Sequence, residues 1–312
     1  MSKISVVICT YNRAENLKET LRALDRQITS EDFEIVVIDN NSTDSTKKVI
    51  HEFSVSNQRQ VRYFFELAQG VSFARNRGIR ESAGEFIAFL DDDVIPAENW
   101  IQSISNAFSQ YQADCLGGPV LPEWPGNPPL WPFFKDGISG VFGLLDRGSE
   151  VIQTNEYISN FLLGGNIAYR TSIFDKVGLF RIDLGRTATH LGGGEDSDMI
   201  QRALKTGKLA VYDPKISVHH KIPEQRMQPA YFRKWHFDMG RTTAKISKFR
   251  RQIYWSLLVD CCSSGLFTLV YRIVRIKQKA LLAEGNFLWK LGMLVELIQF
   301  SKRENVCQLS AS

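Results

Sequence analysis

Three aspartates in a row, Asp91-Asp92-Asp93, close the apolar run Phe86-Ile87-Ala88-Phe89-Leu90. Adjacent like charges repel, so a fold holds them at a strand end when a cation neutralises them. A hard divalent metal is one such cation, because it takes oxygen ligands and bridges protein to phosphate. A solvated acidic turn ahead of a helix is the other reading, since aspartates suit the helix dipole. A second acidic group, Glu195-Asp196-Ser197-Asp198, follows Gly192-Gly193-Gly194 and opens a helical stretch through Lys205. Helix capping explains one of these acids better than it explains three.

These groups need elements that position them. Residues 1–120 alternate strand-like and helix-like stretches: Ile4 to Cys9, a helix over Ala14 to Gln27, Phe33 to Asp39, a helix through Phe53, Val61 to Phe65, a helix over Ser72 to Ser82, and the strand that carries the aspartates. Leu17, Leu21 and Leu24 give the first helix its apolar face. Strand–helix repetition of this kind predicts an α/β fold with a mostly parallel sheet and helices on both faces. Ligands of such sheets sit at the carboxyl ends of the strands. Three strands end there in Thr10-Tyr11-Asn12, Asp39-Asn40-Asn41 and Asp91-Asp92-Asp93.

No GxGxxG follows the first strand and no GxxxxGK[ST] occurs, so neither the dinucleotide fingerprint nor the P-loop is present. A nucleotide still fits the polar strand ends. Tyr11 offers a stacking surface, Asp39 an acceptor for a base N–H, and Asp91 an acceptor for ribose hydroxyls, with metal-bound phosphates beside Asp93.

Four segments in order, Ser5-Val6-Val7-Ile8-Cys9-Thr10-Tyr11-Asn12-Arg13, Val37-Ile38-Asp39-Asn40-Asn41-Ser42-Thr43-Asp44, Ala74-Arg75-Asn76-Arg77-Gly78-Ile79 and Phe89-Leu90-Asp91-Asp92-Asp93, resemble the family 2 glycosyltransferases, inverting enzymes of the GT-A fold. The resemblance implies a glycosyltransferase of hexosyltransferase type with a nucleotide-sugar donor, a UDP-sugar first among them. The donor side would comprise Thr10, Tyr11, Asn12, Arg13, Asp39, Arg75, Asp91 and Asp92. Asp91 and Asp93 would be the two ends of a DxD motif, toward ribose and metal respectively. Arg75 would lie near the nucleotide; a helix-surface ion pair is its other reading. The segment Gly164-Gly165-Asn166 resembles the family's acceptor-side G-x-N, where Gly165 lets backbone approach the sugar and Asn166 bonds its hydroxyls.

The Gly-Glu-Asp stretch also resembles a family motif. An inverting transferase needs one base to take the acceptor hydroxyl's proton; Asp196 is expected in that role, with Glu195 orienting acceptor or donor. The register Val218-His219-His220-Lys221-Ile222-Pro223 matches the place where the family often carries a metal-binding histidine. It favours His220 as the partner of Asp93, with His219 as the fallback. Imidazole beside carboxylate suits Mn²⁺ as well as Mg²⁺.

Between 121 and 160 the chain mixes Pro122, Pro125, Pro128, Pro129 and Pro132 with Trp124, Trp131, Phe133 and Phe134. So many prolines preclude regular helix, and the aromatics form an acceptor-side or membrane-facing wall, or else tuck the loop onto the domain. The catalytic part is expected over 1–224, with 1–120 as its nucleotide half and 121–224 as its acceptor half.

The charge is uneven. Residues 1–220 carry 22 lysines and arginines against 28 acids, whereas residues 221–312 carry 16 against 6, a net of +10. This basic extension, 225–312, contains a 22-residue apolar stretch, Ile253 to Val274, interrupted at every fourth position by Ser256, Asp260, Ser264, Thr268 and Arg272. Basic clusters flank both ends, giving no inside–outside bias, so an amphipathic helix lying in a membrane surface fits better than a span. Phe287 to Phe300 is a second such helix; packing on protein, including a homo-oligomer through these helices, is the competing reading. No nucleic-acid-binding motif accompanies the charge.

Ser5 to Cys9 is too short for a signal peptide, and five cysteines without metal spacing point to a reducing compartment. The expectation is a metal-dependent enzyme peripheral to the cytoplasmic face of the cell membrane. It would act on a glycan or lipid-linked acceptor in cell-surface polysaccharide synthesis. A sugar-phosphate nucleotidyltransferase and a non-catalytic nucleotide-sugar-binding subunit are the alternatives. The first of these wants a Gly-rich basic loop where the chain has Thr10-Tyr11-Asn12-Arg13, and the second sits poorly with a full set of acids.

Overall fold

The computed structural model of the chain describes residues 3–56, 61–128, 138–247, 254–273 and 277–310. The first elements are β1 (Ile4–Thr10), α1 (Ala14–Asp25), β2 (Phe33–Asp39), α2 (Thr46–Ser56), β3 (Val61–Phe65), α3 (Val71–Glu81), β4 (Phe86–Asp91), β5 (Val94–Pro96), α4 (Trp100–Tyr111), β6 (Cys115–Gly117) and β7 (Val120–Glu123). There follow β8 (Ile138–Ser139), β9 (Leu144–Leu145), β10 (Ile152–Thr154), β11 (Asn166–Arg170), α5 (Ile173–Val177), α6 (Glu195–Lys205), β12 (Ala210–Tyr212), β13 (Val218–Lys221), a 3₁₀ turn (Glu224–Met227), α7 (Pro229–Ser247), α8 (Tyr254–Ile273) and α9 (Lys277–Ser310). The described residues fall into two compact units: those up to Asn127, those from 138 to Ile182 and Glu195–Pro223 in the first, and Pro128, Asp183–Gly194 and those from Glu224 onward in the second.

The first unit is built on an eight-stranded sheet in the order β10-β12-β6-β11-β4-β1-β2-β3. The four strands β3, β2, β1 and β4 run parallel, as the alternating pattern predicts. Strands β1, β2 and β4 are buried on both faces, which is why their sequences are continuous apolar runs rather than alternating ones. The register sets Thr10 opposite Asp39 and Cys9 opposite Asp91, so the polar strand ends collect along one edge. Strand β11 runs antiparallel between β4 and β6, with Asn166 opposite Leu90, and so delivers the preceding Gly164-Gly165 to that same edge. A second, five-stranded sheet, β5-β13-β7-β9-β8, carries the histidine pair.

In the second unit, α9 packs against both α7 and α8. Arg241 of α7 reaches the fully buried Glu296 of α9 at 2.8 Å, and the Trp235 and Trp289 rings meet edge to face. The apolar stretch expected at 253–274 is α8, and the expected helix at 287–300 is the middle of the longer α9. The expected polar stripe of α8 takes a different course. Ser264 and Thr268 are buried against α9, while Val259, Leu266, Leu269 and Ile273 stand exposed. Small hydroxylated residues return their O–H to the carbonyl one turn back, Ser264 to Asp260 and Thr268 to Ser264, and so tolerate a tight helix contact.

Candidate active site

The loops at the sheet edge are fixed by short polar side chains. Asn12 and Asn41 adopt left-handed backbone, a conformation that asparagine tolerates better than most residues. The Asn12 N–H donates to Ser42 Oγ at 2.9 Å, and its side-chain oxygen accepts the Thr43 N–H at 2.7 Å, which ties the β1–α1 loop to the β2–α2 loop. Asp44 serves two helices at once: Oδ2 accepts the Ala14 N–H of α1, and Oδ1 accepts the Thr46 N–H of α2. Its burial opposes ionisation, but these bonds outweigh that and hold the carboxyl below its usual range. The sequence shows the α2 cap and not its reach across to α1.

Asp39, buried at the end of β2, accepts the Ser42 N–H at 2.9 Å and the Tyr63 hydroxyl at 3.0 Å. Burial, with the bond to Asp39 added, pushes the Tyr63 phenol up to about 12. Thr10 is buried beside it and Tyr11 is half-exposed at the strand end.

Two arginines pair with the three aspartates. Arg13 Nη1 bonds Asp92 Oδ1 at 2.9 Å and Asp93 Oδ2 at 2.6 Å, while Arg75 lies 3.7 Å from Asp91. Two guanidiniums shared among these three acids and Glu195 offset the repulsion only in part. Burial pushes Asp92 up to about 6, against the pull of Arg13. Asp91 is nearly half exposed, whereas Asp92 and Asp93 are buried.

The antiparallel pairing of β13 with β5 sets His220 opposite Val94 and His219 opposite Ile95. Alternation turns His220 inward, 3.4 Å from Asp93 Oδ2, and leaves His219 exposed. One carboxylate oxygen and one imidazole nitrogen, both buried, are a donor set that suits Mn²⁺ or Mg²⁺. Among the described residues no group of three or more His, Cys, Asp or Glu side chains gathers around a metal position. A cation held here would take Asp93 and His220 as its protein ligands, displace Arg13 from the Asp93 oxygen it bonds at 2.6 Å, and fill its shell from phosphate oxygens and water, the usual habit of a hard cation at a phosphate.

Arg75 joins the two acidic groups. Its guanidinium is buried, bonds Glu195 Oε1 at 2.7 Å, and lies against the Phe89 and Phe180 rings at 5.8 and 5.6 Å. It is a buried ion-pair partner and not a helix-surface one. A Cβ on Gly164 would collide with this guanidinium, and a Cβ on Gly165 would stand 2.8 Å from Asp91 Oδ2, so only glycine lets the β11 approach run here. The Gly164 N–H donates to Asp196 Oδ2 at 2.8 Å. Asp91, Arg75, Glu195 and Asp196 therefore converge around the Gly164-Gly165 backbone. Gly164 is absent from the set expected from sequence; its pairing with Gly165 ahead of a strand was the available signal.

Asp198 bonds Arg202 at 2.8 Å, and Arg202 in turn holds the Leu179 carbonyl at 2.9 Å, so this third acid of the motif supports the start of α6. Burial pushes the Cys9 thiol up to about 12, which removes it as a nucleophile.

Two acceptor-side expectations change. The Asn166 side chain is fully committed within the fold: its oxygen accepts the Trp100 indole N–H at 2.8 Å, and its amide donates to the Pro119 and Ile216 carbonyls at 3.1 and 2.7 Å. It is 1% exposed and has no donor left for a sugar hydroxyl. Trp124 is half-buried with its ring edge on Phe142 at 5.2 Å, which is the tucking arrangement. Trp131 lies outside the described residues.

A model of the family described as glycosyl transferase family 2 matches residues 5–178, more than half of the chain. The chain is 27% identical over 230 residues to the glucosyl-dolichyl phosphate glucuronosyltransferase of Haloferax volcanii, covering 72% of this chain and 71% of that protein. It is also 27% identical to the succinoglycan biosynthesis protein ExoM of Rhizobium meliloti, with 96% of each chain covered. Among solved structures, the mannosyltransferase PcManGT of Pyrobaculum calidifontis, in complex with GDP-Man and Mn²⁺, superposes with a TM-score of 0.63 at 15% identity, covering 94% of this chain and 87% of that one. That likeness shows the fold, GT-A.

Proposed function

The chain belongs to glycosyl transferase family 2, and we propose that it is an inverting, metal-dependent enzyme in which Asp196 is the general base. As a glycosyltransferase of this family it uses a nucleotide-sugar donor and serves polysaccharide or glycolipid synthesis. The observation that carries the mechanistic reading is the Gly164 N–H bond to Asp196 Oδ2, which fixes one carboxylate oxygen beside the Asp91–Arg75–Glu195 group.

In this reading Asp39 and Tyr11 hold the base and Asp91 the ribose of a UDP-sugar. Asp93 and His220 would hold Mn²⁺ or Mg²⁺, which when bound neutralises the charge of the leaving diphosphate. Asp196 accepts the proton of the acceptor hydroxyl as that oxygen forms its bond to the anomeric carbon. The bond from that carbon to the diphosphate oxygen breaks on the opposite face, the electron pair leaves with the nucleoside diphosphate, and the configuration inverts. Glu195, held by Arg75, keeps the start of α6 in place so that Asp196 faces the reacting carbon. The acceptor is a hydroxyl of a glycan or of a lipid-linked sugar, met at the cytoplasmic face of the membrane.

Thermal-shift measurement against UDP-, GDP- and dTDP-sugars, with and without Mn²⁺, tests the donor half. A ligand that binds the folded state raises the melting temperature. A UDP-sugar should do so with Mn²⁺ and do so far less without it. A shift that ignores the metal would remove Asp93 and His220 from the reading.

A further inference from the structure

In α8 the usual amphipathic arrangement is reversed. At 3.6 residues per turn, Leu258, Val259, Cys262, Leu266, Leu269, Val270 and Ile273 fall within an arc of about 120°, and all seven are exposed. Val259 is 67% exposed, Leu266 62% and Ile273 73%. The opposite face, with Leu257, Cys261, Ser264 and Thr268, is the one buried against α9. The helix therefore gives its small and hydroxylated residues to protein and presents an uninterrupted apolar stripe about 23 Å long. An apolar surface of that extent marks an interaction site.

We propose that this stripe lies in the surface of an anionic phospholipid membrane, with α8 parallel to the plane. The proposal rests on the membrane location given above and is independent of the transfer chemistry. Charge selects this occupant over a second copy of the chain. Residues 221–312 carry a net of +10, and the stripe is bracketed in sequence by Arg250-Arg251 and by Arg272, Arg275, Lys277 and Lys279. A symmetric self-contact would set these cations against one another, whereas anionic headgroups complement them.

Beside the stripe, α8 and α9 form a groove of about 290 Å³ walled by Phe267, Tyr271 and Leu282, with Lys279, Ser264 and Asn286 also lining it. Lys279 Nζ lies 5.9 Å from the centre of the Tyr271 ring. A cation above an aromatic and aliphatic wall suits a lipid phosphate with the start of its acyl chains below.

Helix α8 is long and apolar enough to cross a bilayer, but its contacts exclude that course. Lys290 Nζ bonds Ser264 Oγ at 3.0 Å, and Glu284 bonds both Arg272 and Arg233 at 2.9 Å. A spanning α8 would carry Lys290 and Glu284 into hydrocarbon with it, where charged groups are costly. Lying flat leaves them on the water side.

Flotation of the full-length protein with phosphatidylglycerol vesicles, with phosphatidylcholine vesicles as the neutral comparison, tests the surface. The double variant Leu266→Glu/Val270→Glu places both charges at exposed positions, and Lys279→Glu reverses the groove's cation. Each should weaken binding to anionic vesicles by about tenfold or more, with the donor-induced thermal shift unchanged. Wild-type binding by the double variant would overturn the proposal. So would a wild-type dimer in sedimentation that the double variant converts to monomer without any change in vesicle binding. Loss of the donor shift in the wild type would bear on the transferase reading alone.

Discussion

The Arg75 guanidinium and the Glu195 carboxylate meet at 2.7 Å although 120 positions separate them, and both are buried. One ion pair thus connects α3 to the first residue of α6, the helix of the proposed base. Removing Arg75 leaves the buried Glu195 carboxylate without this cation and takes the guanidinium away from the Phe89 and Phe180 rings.

Arg75→Ala is accordingly expected to destabilise the protein by about 3–5 kcal/mol, read from urea denaturation. Arg75→Lys should recover only part of this, because an ammonium cannot reproduce the planar fork that lies against two rings. A lysine variant of wild-type stability would contradict the arrangement.

Asn166→Ala should behave as a core lesion and not as a weakened sugar site. The substitution leaves the Trp100 N–H and the Ile216 carbonyl without this partner, while the Pro119 carbonyl keeps the Val218 N–H, at about 1–3 kcal/mol for each buried group left unsatisfied. Chemical denaturation should show the loss. Full stability combined with a raised KM for acceptor would restore the role expected from sequence.

Much of this was readable from the chain, and the reason is locality. Strand ends such as Thr10-Tyr11-Asn12 and Asp91-Asp92-Asp93 announce themselves because an apolar run stops and polar residues begin within a few positions. Asn166 misled because its partners come from α4, the segment before β7 and the segment before β13, which no local pattern connects. The same limit applied to α8: periodicity locates Ser264 and Thr268 on one side of a helix, but which side meets protein depends on α9. The arginines that pair with the aspartates were present in the donor set, yet their pairing with those carboxylates is a tertiary fact.

The metal pair separates two adjacent histidines. His220→Ala and Asp93→Ala should abolish the Mn²⁺-dependent part of donor binding, read by titration calorimetry, while His219→Ala should leave it unchanged because His219 is exposed and turned away from Asp93. Equal losses in the two histidine variants would dissolve the pair.

Acid should loosen the tie between residues 183–194 and α7. Burial alone would raise the Asp238 pKa, but bonds from His190, the Leu191 N–H and Lys234 outweigh it and hold the carboxyl well below its usual range. Because the folded-state value lies below the unfolded one, the unfolded chain takes up the proton first as pH falls. The stability from this group is therefore complete above the unfolded value near ~3.9 and is lost as the pH drops below it toward the folded value. Asp238→Asn should flatten the melting temperature between pH 5 and 3 relative to wild type (about the range spanned by that titration). An unchanged slope would show that other carboxylates carry the acid sensitivity.

The base assignment is tested most directly by Asp196→Asn, which keeps the shape and one of the two contacts that the carboxylate accepts, from the Gly164 and Ser197 N–H groups, but removes the proton acceptor. Sugar transfer and donor affinity should be measured on the same preparation. The account predicts that transfer falls by about 10²–10⁴-fold while the donor Kd stays close to wild type. Retained transfer, or a donor Kd that collapses together with the rate, would contradict it.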